Sequence, residues 1–319
     1  MRFGQDIKPR RKIMPGRTTK MRVRMRSSVL LIVFALLGLT LSTNVTEAAN
    51  KYPHTSFVVD TKRPATVYPP ASYKGPAPIL ISLHGYTSSG SGQESYMKMK
   101  SEASKRGVIY VLPNGTKDGA GNAFWNAGNS CCNFFGSKVD DVGYLMGLIN
   151  QVNAKYPVDR KRIYFMGHSN GGFMTYRMAC ERSKEIAAVI IFSGSVDTAR
   201  PNCKPVPISV LHIHGSADAT ISTSGAQLTS NSSVFASVAN NLAFWSTVDS
   251  CGKTDPLPIK SSSLDLVSDL AGSETSTYKF TCSTKASLEY WNIEGGSHVP
   301  NLNSTWAPRI FDFLLSQHK

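Results

Sequence analysis

The sequence predicts an α/β fold: a single domain built on a mostly parallel sheet with helices on both faces. Three observations carry that expectation. Apolar runs of five or six residues alternate with helical periods along the chain, the pattern of strand–crossover–strand units. The runs are nearly continuous rather than alternating, as expected of strands buried on both faces. A G-x-S-x-G stretch, Gly167-His168-Ser169-Asn170-Gly171, stands between one such run and a helical pattern. The carboxyl ends of parallel strands are where this kind of sheet presents its chemistry.

The first 49 residues precede the fold. Residues 1–28 hold ten Lys/Arg and one acid, Asp6; Val29 to Leu39 is an unbroken apolar run; Thr46-Glu47-Ala48-Ala49 ends in small residues. This is the tripartite pattern of a secretory signal peptide, residues 1–49, cleaved near Ala48 or Ala49. The apolar run is shorter than the ~20 residues a spanning helix requires. The chain is therefore expected to be secreted, extracellular or periplasmic, with no stable membrane association after cleavage. Met21 or Met25 would give the signal a more ordinary basic region. The segment carries ten Lys/Arg against Asp6 and Glu47, so its removal takes +8 from the net +14 and leaves +6. A mildly basic surface without basic–aromatic interleaving excludes a nucleic-acid footprint. Residues 50–319 read as one domain, with no repeats, heptads or linker, and are expected to act as a monomer.

Each element follows from its local pattern. An edge hairpin is expected near Thr55 to Tyr68. Strands are expected at Pro78–Leu83, Val108–Leu112, Arg162–Met166, Ala187–Phe192, Ile208–Ile213 and Leu288–Ile293. Helices are expected around Glu94–Arg106, Asp141–Tyr156, Asn170–Arg182, Val234–Thr247 and Ala307–Gln317. Residues 256–276 read as a polar, flexible insertion rather than an apolar lid. All six cysteines lie after the signal segment, and an even number in a secreted chain predicts disulfides. Cys251 and Cys282 are the first pair, and Cys180 with Cys203 is a second. Adjacent Cys131 and Cys132 form either a vicinal bridge or two bonds to separate partners. Their spacings fit no zinc pattern.

Three strand ends carry a constellation for acyl transfer. Ser169 sits on the turn from strand to helix, where flanking glycines allow a sharp bend and helix N–H groups favour negative charge. The strand ending at Leu83 runs into His84-Gly85-Tyr86, so Tyr86 N–H pairs with Asn170 N–H as oxyanion donors. The Tyr86 ring is expected to wall the acyl site. The strand ending at Ile213 runs into His214-Gly215-Ser216-Ala217-Asp218, and Asp218 is preferred over Asp197 as the acid that orients an imidazole. The last strand runs into Gly295-Gly296-Ser297-His298, which makes His298 the base. His54, His84, His168, His212 and His318 are set aside as bases by their positions; His214 is harder to dismiss, but it immediately precedes the acid loop and is expected to pack. The order is Ser169, Asp218, His298. Asp140-Asp141 are expected to cap a helix. His168, Trp125 and Trp306 are candidate substrate contacts. No metal or organic cofactor is required.

On these residues the chain resembles the secreted esterase/polyhydroxybutyrate-depolymerase family of α/β-hydrolases, which includes feruloyl and acetylxylan esterases. The resemblance spans roughly residues 55–317. It rests on Leu83-His84-Gly85, Trp125 with Cys131-Cys132, Val139-Asp140-Asp141-Val142-Gly143-Tyr144, the Gly167–Gly172 stretch, His212-Ile213-His214-Gly215 with Asp218, and Gly295-Gly296-Ser297-His298. It implies the α/β-hydrolase fold and hydrolysis of a carboxylic ester, on hydroxycinnamoyl or acetyl esters of polysaccharides or on polyhydroxyalkanoate-type polyesters. The Gly85-Tyr86-Thr87 loop also resembles that of poly(ethylene terephthalate) hydrolases, but Asn170 stands where those enzymes usually have Met. Val299-Pro300 replaces the family's common Trp-Pro after the base. Synthetic polyester hydrolysis, acyl transfer on the same triad and non-enzymatic polymer binding are the alternative readings.

Overall fold

The computed structural model of the protein describes residues 52–200 and 203–319. The signal peptide expected at residues 1–49 lies outside the described residues. The described chain opens with the expected hairpin, β1 (Phe57–Val59) and β2 (Ala65–Tyr68). β3 (Ala77–Leu83) and β4 (Ile109–Pro113) follow, buried at every position. Between them lie α1 (Gly90–Met97) and α2 (Lys100–Lys105). β5 (Thr116–Lys117) and β6 (Ala123–Phe124) make a small hairpin. The alternation continues through α3 (Asp141–Lys155), β7 (Val158–His168), α4 (Asn170–Arg182), β8 (Ala188–Phe192) and β9 (Ser209–Gly215). A second small hairpin, β10 (Ala226–Gln227) and β11 (Val234–Phe235), precedes α5 (Val238–Val248). β12 (Ser262–Leu264), β13 (Thr275–Phe280), β14 (Leu288–Ile293) and α6 (Trp306–Leu315) close the chain.

Ten strands form one sheet in the order β1-β2-β4-β3-β7-β8-β9-β14-β13-β12. β4, β3, β7, β8, β9 and β14 run parallel, and antiparallel pairs border them on both sides. Successive side chains on a strand point to opposite faces. Ile79, Ile81 and Leu83 thus join a core with α3, α4 and α5, while Leu80 joins a second core with α1, α2 and α6. On α6, Trp306, Ile310, Phe311 and Leu314 recur at helical spacing and are at most 1% exposed.

Three expectations need correction. The helix expected over Glu94–Arg106 is two helices. Ser89 Oγ accepts from Gly92 N at 3.1 Å and starts α1 earlier. Lys98, at φ 52°, ends it, and the Glu94 carboxylate accepts the Met99 and Lys100 amides at the next start. The helix expected from Val234 begins at Val238, because Val234–Phe235 pairs as a strand and Ser237 caps Asn240 N at 3.1 Å. The segment 256–276 is not simply an irregular insertion: β12 and the start of β13 fall within it and extend the sheet. Thr275 and Thr277 are buried there; they are β-branched but polar, so no apolar period marks the strand.

The disulfides are Cys251–Cys282 and Cys180–Cys203, as expected, and Cys131–Cys132, which settles the remaining pair as vicinal. Asp140 caps α3 by accepting from Gly143 N at 2.8 Å. Asp141 is fully buried, pairs with Arg63 at 2.5 Å and accepts from Asn126 N at 2.6 Å.

Candidate active site

β7 ends at His168 and the backbone reverses at Ser169, which has φ 55° and ψ −123°. An L-residue avoids this region, and it persists only where the surroundings enforce it. The glycines around it leave no room for an alternative. A Cβ on Gly167 would lie 2.1 Å from Gly171 O, and one on Gly171 would lie 2.2 Å from Leu83 O. The end of β3, the elbow and the start of α4 therefore meet at backbone contact. A Cβ on Gly85 would stand 3.4 Å from Ser169 Cβ, so the loop after β3 lies directly against the serine.

Ser169 Oγ lies 2.9 Å from His298 Nε2, and His298 Nδ1 lies 2.8 Å from Asp218 Oδ2. A carboxylate only accepts, so Nδ1 carries the ring proton and Nε2 is free to accept from the hydroxyl. The loops that bring the acid and the imidazole together are tied to one another. Ser216 N donates to Ile293 O and Ala217 N to Gly296 O, both at 2.9 Å, and Gly295 N donates to Ser216 Oγ at 2.8 Å. A Cβ on Gly215 would lie 2.2 Å from Gly296 O, which is why glycine recurs in both loops.

The Asp218 side chain is fully buried. Its Oδ1 accepts from Thr220 N at 2.9 Å and Ile221 N at 2.8 Å. Burial works against its charge, yet hydrogen bonds from His214 and His298 hold its carboxyl well below the usual carboxylate range. The rival acid, Asp197, instead accepts from Ala199 N at 2.9 Å in the loop after β8.

The amides of Tyr86 and Asn170 have no acceptor among the described residues. Asn170 is the first residue of α4, where the N–H groups lack an intrahelical partner. The Asn170 side chain does something the sequence did not reveal. Its Oδ1 accepts from Trp125 N at 2.7 Å and its Nδ2 donates to Trp125 O at 3.0 Å, fixing the loop that leads to the vicinal disulfide. A Met at this position could make neither bond. Tyr86 is fixed equally firmly. Its hydroxyl donates to Asp118 Oδ2 at 2.5 Å and accepts from Asn122 Nδ2 at 3.1 Å. Burial, then the Asp118 hydrogen bond, raises its pKa. Its ring packs edge-on against Phe134 at 5.6 Å.

The expected substrate contacts at Trp125, Trp306 and His168 are corrected. Trp125 is fully buried; its Nε1 donates to His84 O at 3.0 Å, and Arg63 lies over the ring. Trp306 is 1% exposed and packs on Phe192 beneath the sheet. Both indoles fill core volume, and periodicity alone does not separate core aromatics from cleft ones. His168 is also buried. Its Nε2 donates to His298 O at 2.8 Å, while Tyr96 Oη donates to Pro300 O at 3.2 Å. These two bonds hold the segment that carries His298.

Burial pushes His168 down to about 4, helped by the charge of His298, and burial likewise pushes His84 down to about 4. His212 is displaced well downward by burial. A folded pKa below the unfolded value of about 6.5 means the unfolded chain binds more protons between the two, so stability falls as pH falls. Acidification from pH 7 to 4.5 is therefore expected to lower the melting temperature steeply. Asp249, pushed up to about 7 by burial, gives up a proton on unfolding in the same range and offsets one histidine. A net uptake of about one to two protons per unfolding event is therefore expected, and His168→Gln should flatten the slope by about one proton. Melting temperature measured against pH checks this; a flat profile would contradict it.

The profile of the phospholipase/carboxylesterase family matches residues 139–243, the stretch from α3 through the elbow to α5. The chain is 33% identical over 153 residues to a bifunctional acetylxylan esterase/xylanase of Neocallimastix patriciarum, covering 48% of this chain and 21% of that protein. It is 30% identical over 184 residues to feruloyl esterase B of Piromyces equi, covering 55% of this chain and 33% of that one. It thus spans a fifth to a third of the length of these relatives. Among solved structures, an acetyl xylan esterase from Aspergillus awamori superposes with a TM-score of 0.56 at 14% identity, over 82% of this chain and 98% of that one. That likeness bears on fold. The sheet order, the serine elbow and these similarities give the chain the α/β-hydrolase fold and a sequence similar over about half its length to feruloyl and acetylxylan esterases.

Proposed function

We propose that the protein is a secreted serine carboxylic-ester hydrolase, with Ser169, His298 and Asp218 as catalytic residues. The observation that carries this reading is the continuous hydrogen-bonded line Ser169 Oγ–His298–Asp218, with steps of 2.9 and 2.8 Å, set on a strained elbow. His298 Nε2 takes the hydroxyl proton as Oγ attacks the ester carbonyl. The Tyr86 and Asn170 amides receive the oxyanion. The alcohol leaves with the proton from His298, and water, activated by the same nitrogen, releases the acid. Asp218 stays ionised throughout and holds the imidazolium. The three disulfides fit an oxidising compartment.

The substrate class we propose is hydroxycinnamoyl or acetyl esters of polysaccharide. The relatives' names and the rim of the site support it. Phe134 packs on Tyr86 and is 37% exposed, Phe135 is 56% exposed, and Val299 beside His298 is 55% exposed. An open apolar rim suits a flat aromatic acyl group, and it equally suits a polyester segment. A panel of p-nitrophenyl acetate, methyl ferulate, acetylated xylan, poly-3-hydroxybutyrate and a terephthalate polyester decides between them. Turnover of ferulate or xylan without polymer release is expected. Phe134→Ala should then raise KM for methyl ferulate by about 2–10-fold, the loss of one aromatic contact, with little change for the acetate ester. Silence on every ester, with Ser169 unlabelled by a fluorophosphonate, would end the esterase reading.

A further inference from the structure

Two of the buried histidines that the mechanism leaves unused are His212 and His214. His212 and His214 alternate along β9, so both side chains lie on the face of the sheet covered by α4 and α5. They are 0% and 1% exposed. In the sequence His212 reads as a strand residue and His214 as a residue just before the acid loop, while Tyr176 falls in the helix expected around Asn170–Arg182. The structure joins all three to Asp218. Tyr176 Oη lies 2.6 Å from His212 Nδ1, and His212 Nε2 lies 3.1 Å from His214 Nδ1. His214 Nε2 lies 2.7 Å from Ile221 O and 3.3 Å from Asp218 Oδ2. The two imidazoles have centroids 5.3 Å apart and planes 11° apart, which suits an in-plane N–H···N bond.

The direction of the chain follows from its end. A backbone carbonyl and a carboxylate only accept, so His214 Nε2 carries a proton. Only one arrangement then leaves every member neutral and every buried nitrogen partnered. The Tyr176 hydroxyl donates to His212 Nδ1, His212 Nε2–H donates to His214 Nδ1, and His214 Nε2–H donates to Ile221 O and Asp218. The one buried carboxylate, Asp218, already faces His298, and burial penalises a second charge in the row, so the arrangement that partners every nitrogen without one is assigned. Burial displaces His212 strongly toward its neutral form, in keeping with this.

We infer that Tyr176, His212 and His214 are positioning residues for Asp218: three aligned donors, each oriented by the next, that hold the carboxylate facing His298. Aligned donors polarise one another in a dry interior. Tyr176 lies seven residues beyond Ser169, about two turns into the helix that Ser169 precedes. The line from Ser169 through His298, Asp218, His214 and His212 to Tyr176 thus begins at the N-cap of α4 and ends within it. The acid cannot drift from the nucleophile without breaking a bond in this line. The inference rests on the esterase reading for its effect on rate, but not for its proton positions.

The test therefore has two readouts on the full chain. The first is ring 15N spectroscopy of the 15N-histidine-labelled protein at pH 7. His212 and His214 are expected as neutral Nε2–H tautomers. An Nδ1–H tautomer or an imidazolium at either position overturns the assignment, whether or not the protein cleaves esters. The second readout is kinetics on p-nitrophenyl acetate. Tyr176→Phe should lower kcat about 3–10-fold at unchanged KM, the loss of one neutral donor. His214→Gln, whose amide reaches the Nε2 position, should retain about tenfold more kcat than His214→Leu. If His214→Leu does not fold, Tyr176→Phe and the spectra still decide. Wild-type kcat in folded Tyr176→Phe, or a change confined to KM, overturns the positioning role. A wild-type protein inactive on every ester, with the predicted tautomers present, would sink the esterase reading and leave the chain standing.

Discussion

Ser169→Ala is expected to lower kcat/KM for p-nitrophenyl esters by a factor on the order of 10⁴–10⁶ without lowering the melting temperature. The two halves of that result have separate causes. Activity depends on one oxygen, Ser169 Oγ, which His298 Nε2 contacts at 2.9 Å. Among the described residues His298 Nε2 has no other hydroxyl partner. Stability does not depend on that oxygen, because Ser169 is a strained residue at φ 55° whose conformation is imposed by glycine contacts around it. Removing strain should even help. Ser169→Gly is expected to be equally inactive and about 1 kcal/mol more stable, since glycine occupies positive φ without penalty. A serine retained for packing would behave in the opposite way, with stability lost and rate kept. Kinetics and thermal melts on the three proteins distinguish the two cases. Full activity in Ser169→Ala would remove the serine mechanism altogether.

The parts of this site visible in the sequence are those fixed by backbone geometry. Gly167 and Gly171 flank the serine because a Cβ at either would collide with backbone. The same necessity writes Gly215 into the loop that carries Asp218, and in the His298 loop a Cβ on Gly296 would strike the Ile293 side chain. Strand ends were legible for a similar reason, since a strand buried on both faces must be apolar at nearly every position. What the sequence hid depends on side chains meeting across the fold. Asp118 and Asn122 hold the Tyr86 hydroxyl from a separate hairpin, and nothing in their local pattern distinguishes them from turn formers. Trp125 and Trp306 invited a cleft reading because aromatics serve cores and binding sites alike; only burial separates the two roles. His168 sits next to the nucleophile in sequence, yet its ring turns away to hold the His298 backbone. β13 went unseen because two of its three buried positions, Thr275 and Thr277, are polar and give no apolar signal.

Asp218→Asn is expected to lower kcat by about 10⁴-fold at nearly unchanged KM. The size follows from how the carboxylate is held. Its Oδ1 accepts two backbone amides, Thr220 N and Ile221 N, at 2.9 and 2.8 Å. An asparagine must keep its carbonyl oxygen there, since its NH₂ cannot accept. The NH₂ is then forced into the Oδ2 position, facing His298 Nδ1 and His214 Nε2, both of which donate in the wild type. His298 can meet a donor only by shifting its own proton to Nε2, the nitrogen that must receive the Ser169 proton. The base is present, correctly placed and in the wrong tautomer. Asp197→Asn is the matching control. Asp197 accepts from Ala199 N and does not bond His298, so activity within about twofold of wild type is expected. The pH dependence of stability adds a second signature. A carboxyl held below its unfolded pKa of about 3.9 stabilises the fold above that pH, and this contribution is lost as pH falls through the lower folded value. Asp218→Asn should therefore be less stable than the wild type at pH 7, with the gap closing below about pH 4. Ring 15N shifts of His298 report the tautomer directly. An Nδ1–H imidazole in Asp218→Asn, or a kcat near wild type, would show that Asp218 does not orient the base.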